Sequence, residues 1–342
     1  MKVRFLVAIK LLVAVGVLVF LAFSIDLSHF WALITSIPWY VFLIGCGIVV
    51  VQAVLLAIRW SSIAAFFARV DLPLADSLAA TLISFFFSQG LPASVGGDAV
   101  RIWLLKEHSD GARVRDGIKA VLVDRFWGFL TLLFLGCVGL ACLAISQGNI
   151  SVWIVPIGIA AAGVVAVLIA LVSWPKGLLD WLHRVARSAS PTLHRVVDSL
   201  TRLKADFDSY SRSPSRFAAT FTLSLIVHLL TLSLAVLFVI AVPKALDWHS
   251  VSLAQFLAAI PPALLVGYLP ISIAGWGVRE GAMVVSLGLV GVSIEQAVAI
   301  SLFIGLTVLL VSLLGGLIWL FSAMRQAPHE LVSADPSGAH SS

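Results

Sequence analysis

A helix-breaking string that occurs twice within strongly apolar sequence constrains the fold of this chain more than any other feature. Residues 91–101 read LPASVGGDAVR, and residues 269–279 read LPISIAGWGVR. Aligned without a gap, the two copies share their Leu, Pro, Ser, Gly, Val and Arg positions. Because proline and glycine interrupt helices, each copy predicts a break in an otherwise helical region. A repeat of this kind indicates a fold built from two related units.

The composition around the two copies indicates an integral membrane protein. The sequence is 61% hydrophobic and 11% charged, whereas soluble domains are about 45–50% apolar and about 25% charged. The net charge of +5 comes from basic residues in loops between apolar runs, which is typical of cytoplasmic loops. We therefore expect no nucleic-acid partner. The cysteines and histidines show no metal-ligand spacing, so we also expect no metal and no cofactor.

The positions of Lys and Arg predict how the chain crosses the membrane. Six apolar segments are long enough for full spans, namely 1–25, 38–58, 120–145, 152–173, 217–242 and 297–321. The first could also be a cleaved signal peptide, although a retained helix is favoured. The regions 74–119 and 251–292 must each begin and end on one side of the membrane. Each is expected to be a re-entrant hairpin or a pair of short helices.

These spans predict an all-α polytopic membrane protein with about six full transmembrane helices and two re-entrant, broken-helix hairpins in an inverted repeat. Such repeats are typical of secondary transporters. The predicted single transmembrane domain, 1–325, contains repeat 1 at about 38–146, a connecting helix at 152–173, a cytoplasmic basic loop at 174–216 and repeat 2 at about 217–321. A disordered tail would follow at 326–342. We expect both termini in the cytoplasm and the protein in the inner or plasma membrane.

The basic loop 174–216 has a second predicted feature. It carries eight Lys/Arg residues against four Asp, and apolar residues recur in it at helical spacing from Leu193 to Phe207. An amphipathic helix on the anionic inner leaflet would have this pattern. A solvated helix packed on the spans would have it too, and both alternatives remain open at this point.

The repeated string also predicts the substrate-binding site. In each copy we expect proline to end an incoming half-helix, glycine to permit an unusual turn, and a new half-helix to start near the Val-Arg pair. An arginine at a helix N-terminus is unfavourable unless an anion is present, and phosphate suits such a position. The candidate residues are Pro92, Ser94, Gly97, Asp98, Arg101, Asp124, Arg125, Pro270, Ser272, Gly275, Arg279 and Glu280.

Internal ion pairing is the alternative for these charges. Asp98 would pair with Arg101, Glu280 with Arg279, and Asp124 with Arg125, without any ligand. Ser94 and Ser272 could bind a head group or merely cap half-helices. Arg59, which follows the predicted second span, is expected to be mainly an interfacial anchor. No catalytic motif is present, so we expect a non-enzyme.

These residues resemble the lysylphosphatidylglycerol synthase transmembrane family, which is also called the flippase-like family. The resemblance rests on 91–101 with Asp124-Arg125 downstream, on 269–280, and on Arg59-Trp60. It implies movement of a lipid between membrane leaflets. In the best-known relatives this membrane part translocates aminoacylated phosphatidylglycerol that a fused synthase domain makes. We expect a stand-alone member without that domain, so the lipid could also be another phospholipid or a polyprenyl-linked or other glycolipid.

Three functions are therefore open from the sequence. The favoured one is a lipid flippase that moves an anionic, phosphate-containing lipid through a cavity between the two hairpins. The second is an ion-coupled transporter of a small organic anion. The third is a non-catalytic membrane partner that recruits a lipid-modifying enzyme through the 174–216 loop.

Overall fold

A computed structural model describes residues 27–90, 95–107, 113–146, 190–241, 252–267 and 275–333, together with 181, 183–185 and 187. In this part of the chain all regular secondary structure is helical. The bounded helices are α1 (Leu27–Thr35), α2 (Trp39–Phe67), α3 (Leu74–Gly90), α4 (Val95–Glu107), α5 (Val114–Ser146), α6 (Pro191–Ser211), α7 (Pro214–Ala241), α8 (Leu253–Gly267), α9 (Val278–Gly288) and α10 (Ile294–Ser333). The predicted helices at 1–25 and 152–173 lie outside the described residues.

Four long helices are apolar enough to cross a membrane. They are α2, α5, α7 and the Ile294–Ser322 part of α10, and they correspond to four of the six predicted spans. This result confirms a polytopic, all-helical membrane fold. Two boundaries differ from the predictions. Helix α2 continues past residue 58 to Phe67, and α10 continues to Ser333, although a disordered tail was expected from 326.

Both differences have a local cause. Arg59 does not end α2, because its charge is paired inside the protein and apolar residues resume at Ile63. Ala323 to Gln326 are strong helix formers, so the helix does not stop where the apolar run stops. Residues 334–342 lie outside the described part of the chain.

Two pairs of short helices occupy the regions where the sequence predicted broken helices. Helix α3 packs against α4, and α8 packs against α9. The longest of them, α3, has 17 residues and is therefore about 25 Å long. A hydrocarbon core is about 30 Å thick, so none of these helices spans it alone when upright.

Each short pair packs on the long helix of the other unit. Helix α8 lies against α5, and α3 lies against α10. Gly139 of α5 faces the backbone of Leu257, and Gly315 of α10 faces the backbone of Leu82. A Cβ atom at either glycine would overlap that backbone, so the close approach of the helices requires glycine. The two units are thus joined by an equivalent pair of helix crossings.

The first helices of the two units run in opposite directions. Three positions along α2 contact α7. Arg59 contacts Ser224, and Gln52 contacts Thr231. Gly45 faces Leu234, whose side chain would lie 3.6 Å from a Cβ atom placed on the glycine. The residue numbers fall along α2 as they rise along α7, so these helices are antiparallel. An inverted repeat requires such an antiparallel pair, and the inverted repeat itself stays a prediction.

Helix α6 confirms the amphipathic helix predicted within 174–216. Ser190 caps it by accepting a hydrogen bond from the Leu193 N–H, and Pro191 follows at the first helical position. Phe207 and Tyr210 are buried against α2 and α5, with ring centroids 5.1 Å apart for Tyr210 and Phe66. The C-terminal end of α6 therefore packs on the spans, as the second alternative proposed. Leu193, which was placed on the apolar face, is exposed.

Tyr210 shows how tightly α6 is held. Its side chain is fully buried, and its hydroxyl lies 2.5 Å from Thr220 Oγ1 of α7. Burial raises the pKa of the Tyr210 phenol above its ordinary value, so the group stays neutral and remains a hydrogen-bond partner.

We predict that Gly139→Ala and Gly315→Ala each destabilise the fold. The added methyl group collides with backbone atoms, and overpacking of this kind costs about 1–3 kcal/mol. Gly47→Ala is the matched control, because nothing lies within 4 Å of that position. Thermal unfolding of the purified proteins in detergent measures the effect. Equal melting temperatures for all three variants would contradict the proposed role of the crossings.

Candidate functional site

Five buried or half-buried charges lie where α2, α4 and α5 meet; we call them the first charge cluster. Arg59 Nε donates to Asp124 Oδ1 at 2.8 Å, and Arg101 Nη1 donates to Asp124 Oδ2 at 3.2 Å. Arg125 Nη2 and Asp98 Oδ2 are 2.5 Å apart. Arg59 and Arg101 therefore share one carboxylate, and this trio carries one positive charge in excess.

The trio is closed from solvent and linked to the second unit. Arg59, Arg101 and Asp124 are at most 6% exposed. Arg59 Nη1 also donates to Ser224 Oγ of α7 at 2.7 Å. Buried charges are costly unless paired and hydrogen-bonded, so this arrangement needs every available partner. An anion would supply the charge that the trio lacks.

Two buried N–H groups beside the trio find no acceptor in the described part of the chain. They are Arg101 Nε and Trp60 Nε1. The guanidinium of Arg101 lies over the indole of Trp60, with 5.3 Å between the guanidinium carbon and the ring centroid. An unpaired buried donor costs about 1–3 kcal/mol, so acceptor oxygens from a ligand or water would stabilise this site.

The second unit contains a smaller group, which we call the second charge cluster. Arg279 Nη2 donates to Glu280 Oε1 at 2.6 Å, and Arg279 Nε donates to Ser301 Oγ at 3.0 Å. The Ser301 hydroxyl donates to Glu280 Oε1 at 3.0 Å. The Arg279 guanidinium lies 4.7 Å from the centroid of the Trp276 ring. Each unit thus stacks its repeated arginine on a tryptophan, but in the second unit the charges balance.

The second copy of the string forms the predicted turn and half-helix start. Gly275 and Gly277 both have φ of +80°, which favours glycine, and α9 begins at Val278. Glu280 Oε2 accepts the Gly277 N–H at 2.6 Å and so caps the helix. Arg279 therefore lies at a helix N-terminus, as predicted, with the Glu280 carboxylate beside it.

The first copy differs from the prediction. Helix α4 begins at Val95, so Arg101 lies in the second turn and not at the helix start. Asp98 in the first turn favours this early start, because a carboxylate stabilises a helix N-terminus. Gly97 is helical and packs so closely on Ser84 and Ser88 of α3 that a Cβ atom would overlap them. Its role is close packing of the short pair.

The ion pairs also differ from the internal pairing expected as the alternative. Glu280 pairs with Arg279 as expected. Asp98 pairs with Arg125 and not with Arg101, while Asp124 pairs with Arg59 and Arg101 and not with its neighbour Arg125. Adjacent residues on a helix project about 100° apart, so Asp124 and Arg125 face different partners. Pro92, Ser94, Pro270 and Ser272 lie outside the described residues.

Sequence reasoning missed several residues of the two clusters. Arg59 was expected at the membrane interface, yet it is 4% exposed and pairs with Asp124. Ser224 and Ser301 were not singled out, because a serine in an apolar run has no distinctive signal. Only the resemblance of Arg59-Trp60 to the family pattern could have indicated that Arg59 belongs to the first charge cluster.

A further polar group lies near the N-terminal end of α6. His183, His194 and Asp198 each place one ligand atom within 4.8 Å of the others. The sequence analysis expected no metal and overlooked this group. Its recognisable signal is the i, i+4 spacing of His194 and Asp198 on a helix; His183 comes from the preceding segment.

We predict that Asp124→Ala strongly destabilises the protein. It leaves two buried guanidinium groups without their carboxylate, and breaking a buried ion pair in this way costs about 3–5 kcal/mol. Asp71→Ala is the control, since Asp71 is exposed just before α3 and substitutions at such surface positions usually change stability by at most about 0.5 kcal/mol. Melting temperatures in detergent compare the two. Similar losses for both variants would refute a central role for Asp124.

The comparisons with known proteins agree with this architecture. The family model described as "Lysylphosphatidylglycerol synthase TM region" matches residues 7–316. Searches of curated proteins and of solved structures returned no match. The matched region includes all of α1 to α9 and most of α10 up to Gly316, together with both charge clusters. The chain is therefore a member of the lysylphosphatidylglycerol synthase transmembrane family.

Proposed function

We propose that this protein is a lipid translocase that moves an anionic, phosphate-containing lipid between membrane leaflets. The observation that carries the proposal is the Arg59–Asp124–Arg101 trio, which is buried, singly positive and bordered by unpaired N–H donors. Aminoacyl-phosphatidylglycerol, other phospholipids and polyprenyl or other glycolipids with a phosphate share the head-group chemistry that this site would bind.

A phosphate group fits the first charge cluster for two reasons. Its negative charge balances the excess charge of the trio. Its oxygens accept hydrogen bonds from guanidinium groups, and arginine binds phosphate through two N–H groups at once. The described site offers donors in excess of acceptors, which suits an anion and disfavours a cation.

An apolar groove favours a lipid over a small solute. A groove of about 570 Å³ lies between α8 and α9, and its walls are almost entirely apolar. Its lining includes Val278 and Gly281, which flank Arg279 and Glu280 in the chain. Val285 and Leu289, also in the lining, are 68% and 80% exposed. An acyl chain could lie in this groove while the head group is near Arg279.

In this proposal the protein lies in the inner or plasma membrane of the cell. The end of the bundle that carries α6 faces the cytoplasm. Basic residues concentrate in 174–216, as the positive-inside rule requires. Both termini would then be cytoplasmic, and the two short-helix pairs would be re-entrant from opposite sides. Exposed arginines such as Arg195 and Arg202 would face anionic lipids of the inner leaflet.

In this proposal the protein performs no covalent chemistry. The two arginines of the repeated string, Arg101 and Arg279, would bind the phosphate in turn as access alternates between leaflets. The Glu280 carboxylate would hold Arg279 while phosphate is absent. A cytoplasmic partner enzyme that modifies the lipid could supply the substrate at the α6 face.

Reconstitution into proteoliposomes tests the proposal. Fluorescent phosphatidylglycerol in the inner leaflet becomes accessible to a membrane-impermeant quencher only when it is translocated. We expect Arg101→Ala to slow this movement at least about 10-fold, because a hydrogen bond to a charged group is worth about 1.5–3 kcal/mol. Arg279→Ala should also slow it, and fluorescent phosphatidylcholine should move more slowly than phosphatidylglycerol.

Arg115→Ala is the matched control, since Arg115 is exposed at the start of α5. An unchanged rate in the double variant Arg101→Ala/Arg279→Ala would refute the roles of both arginines. No movement above that in protein-free vesicles would refute translocation by the isolated protein. Uptake of a soluble phosphate ester without lipid movement would identify a solute transporter instead.

A further inference from the structure

We propose that His183, His194 and Asp198 form a binding site for a divalent transition-metal ion that joins segment 181–187 to α6. His194 and Asp198 lie one turn apart on α6, and His183 approaches them from segment 181–187. Two imidazole nitrogens and one carboxylate oxygen are ligands that suit Zn²⁺ and its neighbours. This site is separate from the charge clusters and does not depend on the proposed lipid transport.

The distances between the candidate ligand atoms fit one metal ion. His183 Nδ1 lies 3.3 Å from Asp198 Oδ1, and His194 Nδ1 lies 3.2 Å from Asp198 Oδ2. Ligand atoms bound tetrahedrally at about 2.0–2.1 Å from Zn²⁺ are about 3.3–3.4 Å apart. These two separations involve different oxygens of Asp198, and the set with one ligand atom per residue lies within 4.8 Å, so an ion would draw the three side chains closer together. All three side chains are half-buried, so water is partly excluded.

The hydrogen bonds of Thr201 orient His183 as a metal ligand. The Thr201 hydroxyl donates its only hydrogen to the Val197 carbonyl at 2.9 Å. Its oxygen lies 3.2 Å from His183 Nε2 and can therefore only accept a hydrogen bond from that nitrogen. In the neutral ring the hydrogen is on Nε2, and Nδ1 is left with a lone pair. A metal-bound histidine commonly donates its other N–H in this way.

This lone pair faces a negatively charged oxygen. His183 Nδ1 is buried and forms no hydrogen bond within the described residues, although Asp198 Oδ1 is 3.3 Å away. Two acceptors at this distance repel each other unless a proton or a metal ion lies between them. A metal ion bound to both atoms removes the repulsion, and it also uses the otherwise unpaired nitrogen.

Arg187 modulates the third ligand. Its Nε donates to His194 Nε2 at 3.1 Å, which places the His194 hydrogen on Nδ1, facing Asp198. Metal binding through Nδ1 moves that hydrogen to Nε2 and displaces Arg187. The Arg187 contact is exposed, so its loss costs little. With three protein ligands, the fourth position on the ion remains for water.

The site would link the N-terminal end of α6 to His183, which precedes the helix in the chain. The opposite end of α6 is held by Phe207 and Tyr210, which pack on α2 and α5. An ion at His194 and Asp198 would tie the N-terminal end to His183.

Metal titration of the full-length protein tests the site. Tag-free protein in detergent is stripped with a chelator and titrated with Zn²⁺, and Co²⁺ absorption reports tetrahedral binding. We expect one ion per chain. His183→Ala and Asp198→Asn should each lower the affinity about 100-fold or more, because even the loss of a partner behind a ligand lowers it about 10- to 100-fold.

Two further variants separate metal binding from a merely structural role. Thr201→Val keeps all three ligands and should lower the affinity about 10- to 100-fold. Arg187→Ala should raise it by up to about 5-fold, because it removes a competing hydrogen bond and a positive charge. His29→Ala in α1 is the matched control and should leave the affinity unchanged. Size-exclusion chromatography verifies that each variant is folded.

Absence of stoichiometric Zn²⁺ binding by the wild-type protein would overturn the proposal. Equal affinity in the wild type, His183→Ala and Asp198→Asn would overturn it as well. Neither result would affect the lipid-transport measurements, which concern the two charge clusters.

Discussion

The whole arrangement depends on the packing of short helices against long helices of the same protein. Backbone groups at the ends of α3, α4, α8 and α9 lack intrahelical partners, and lipid cannot supply any. The sides of α3 and α8 pack on the long helix of the other unit, at Gly315 and Gly139. Because this support is reciprocal, neither unit is complete without the other. The exchanged crossings thus hold the two units together.

The symmetry of the backbone does not extend to the charges. The second unit balances Arg279 with Glu280, and Glu280 is fully buried. The first unit makes Arg59 and Arg101 share Asp124. The two units therefore have similar helix arrangements but charge clusters of different net charge. The second cluster is neutral, and the first is positive. A ligand with a single negative charge would therefore balance the charge of the first cluster but not that of the second.

Much of the fold could be predicted from the sequence because hydropathy, loop charge and helix breakers act locally. The long spans, the paired short helices and the amphipathic α6 all follow from such signals. The site was predicted less well. Arg101 and Arg279 occur in a repeated string, but the partners of Arg101 come from Arg59 and Asp124 on other helices. Which carboxylate meets which arginine depends on helix rotation and packing, which the sequence does not state.

The antiparallel contact of α2 with α7 has a consequence for movement. Arg59 takes part in the buried trio and also donates to Ser224 in the opposite unit. About two turns earlier on α2, Gln52 donates to Thr231 of the same opposite helix. If the two units rock against each other, these bonds across the seam must break and form again. The hydrogen-bond partners of Arg59 in the first charge cluster would then change with each movement. Anion binding at the site and the relative position of the two units would then depend on the same hydrogen bonds.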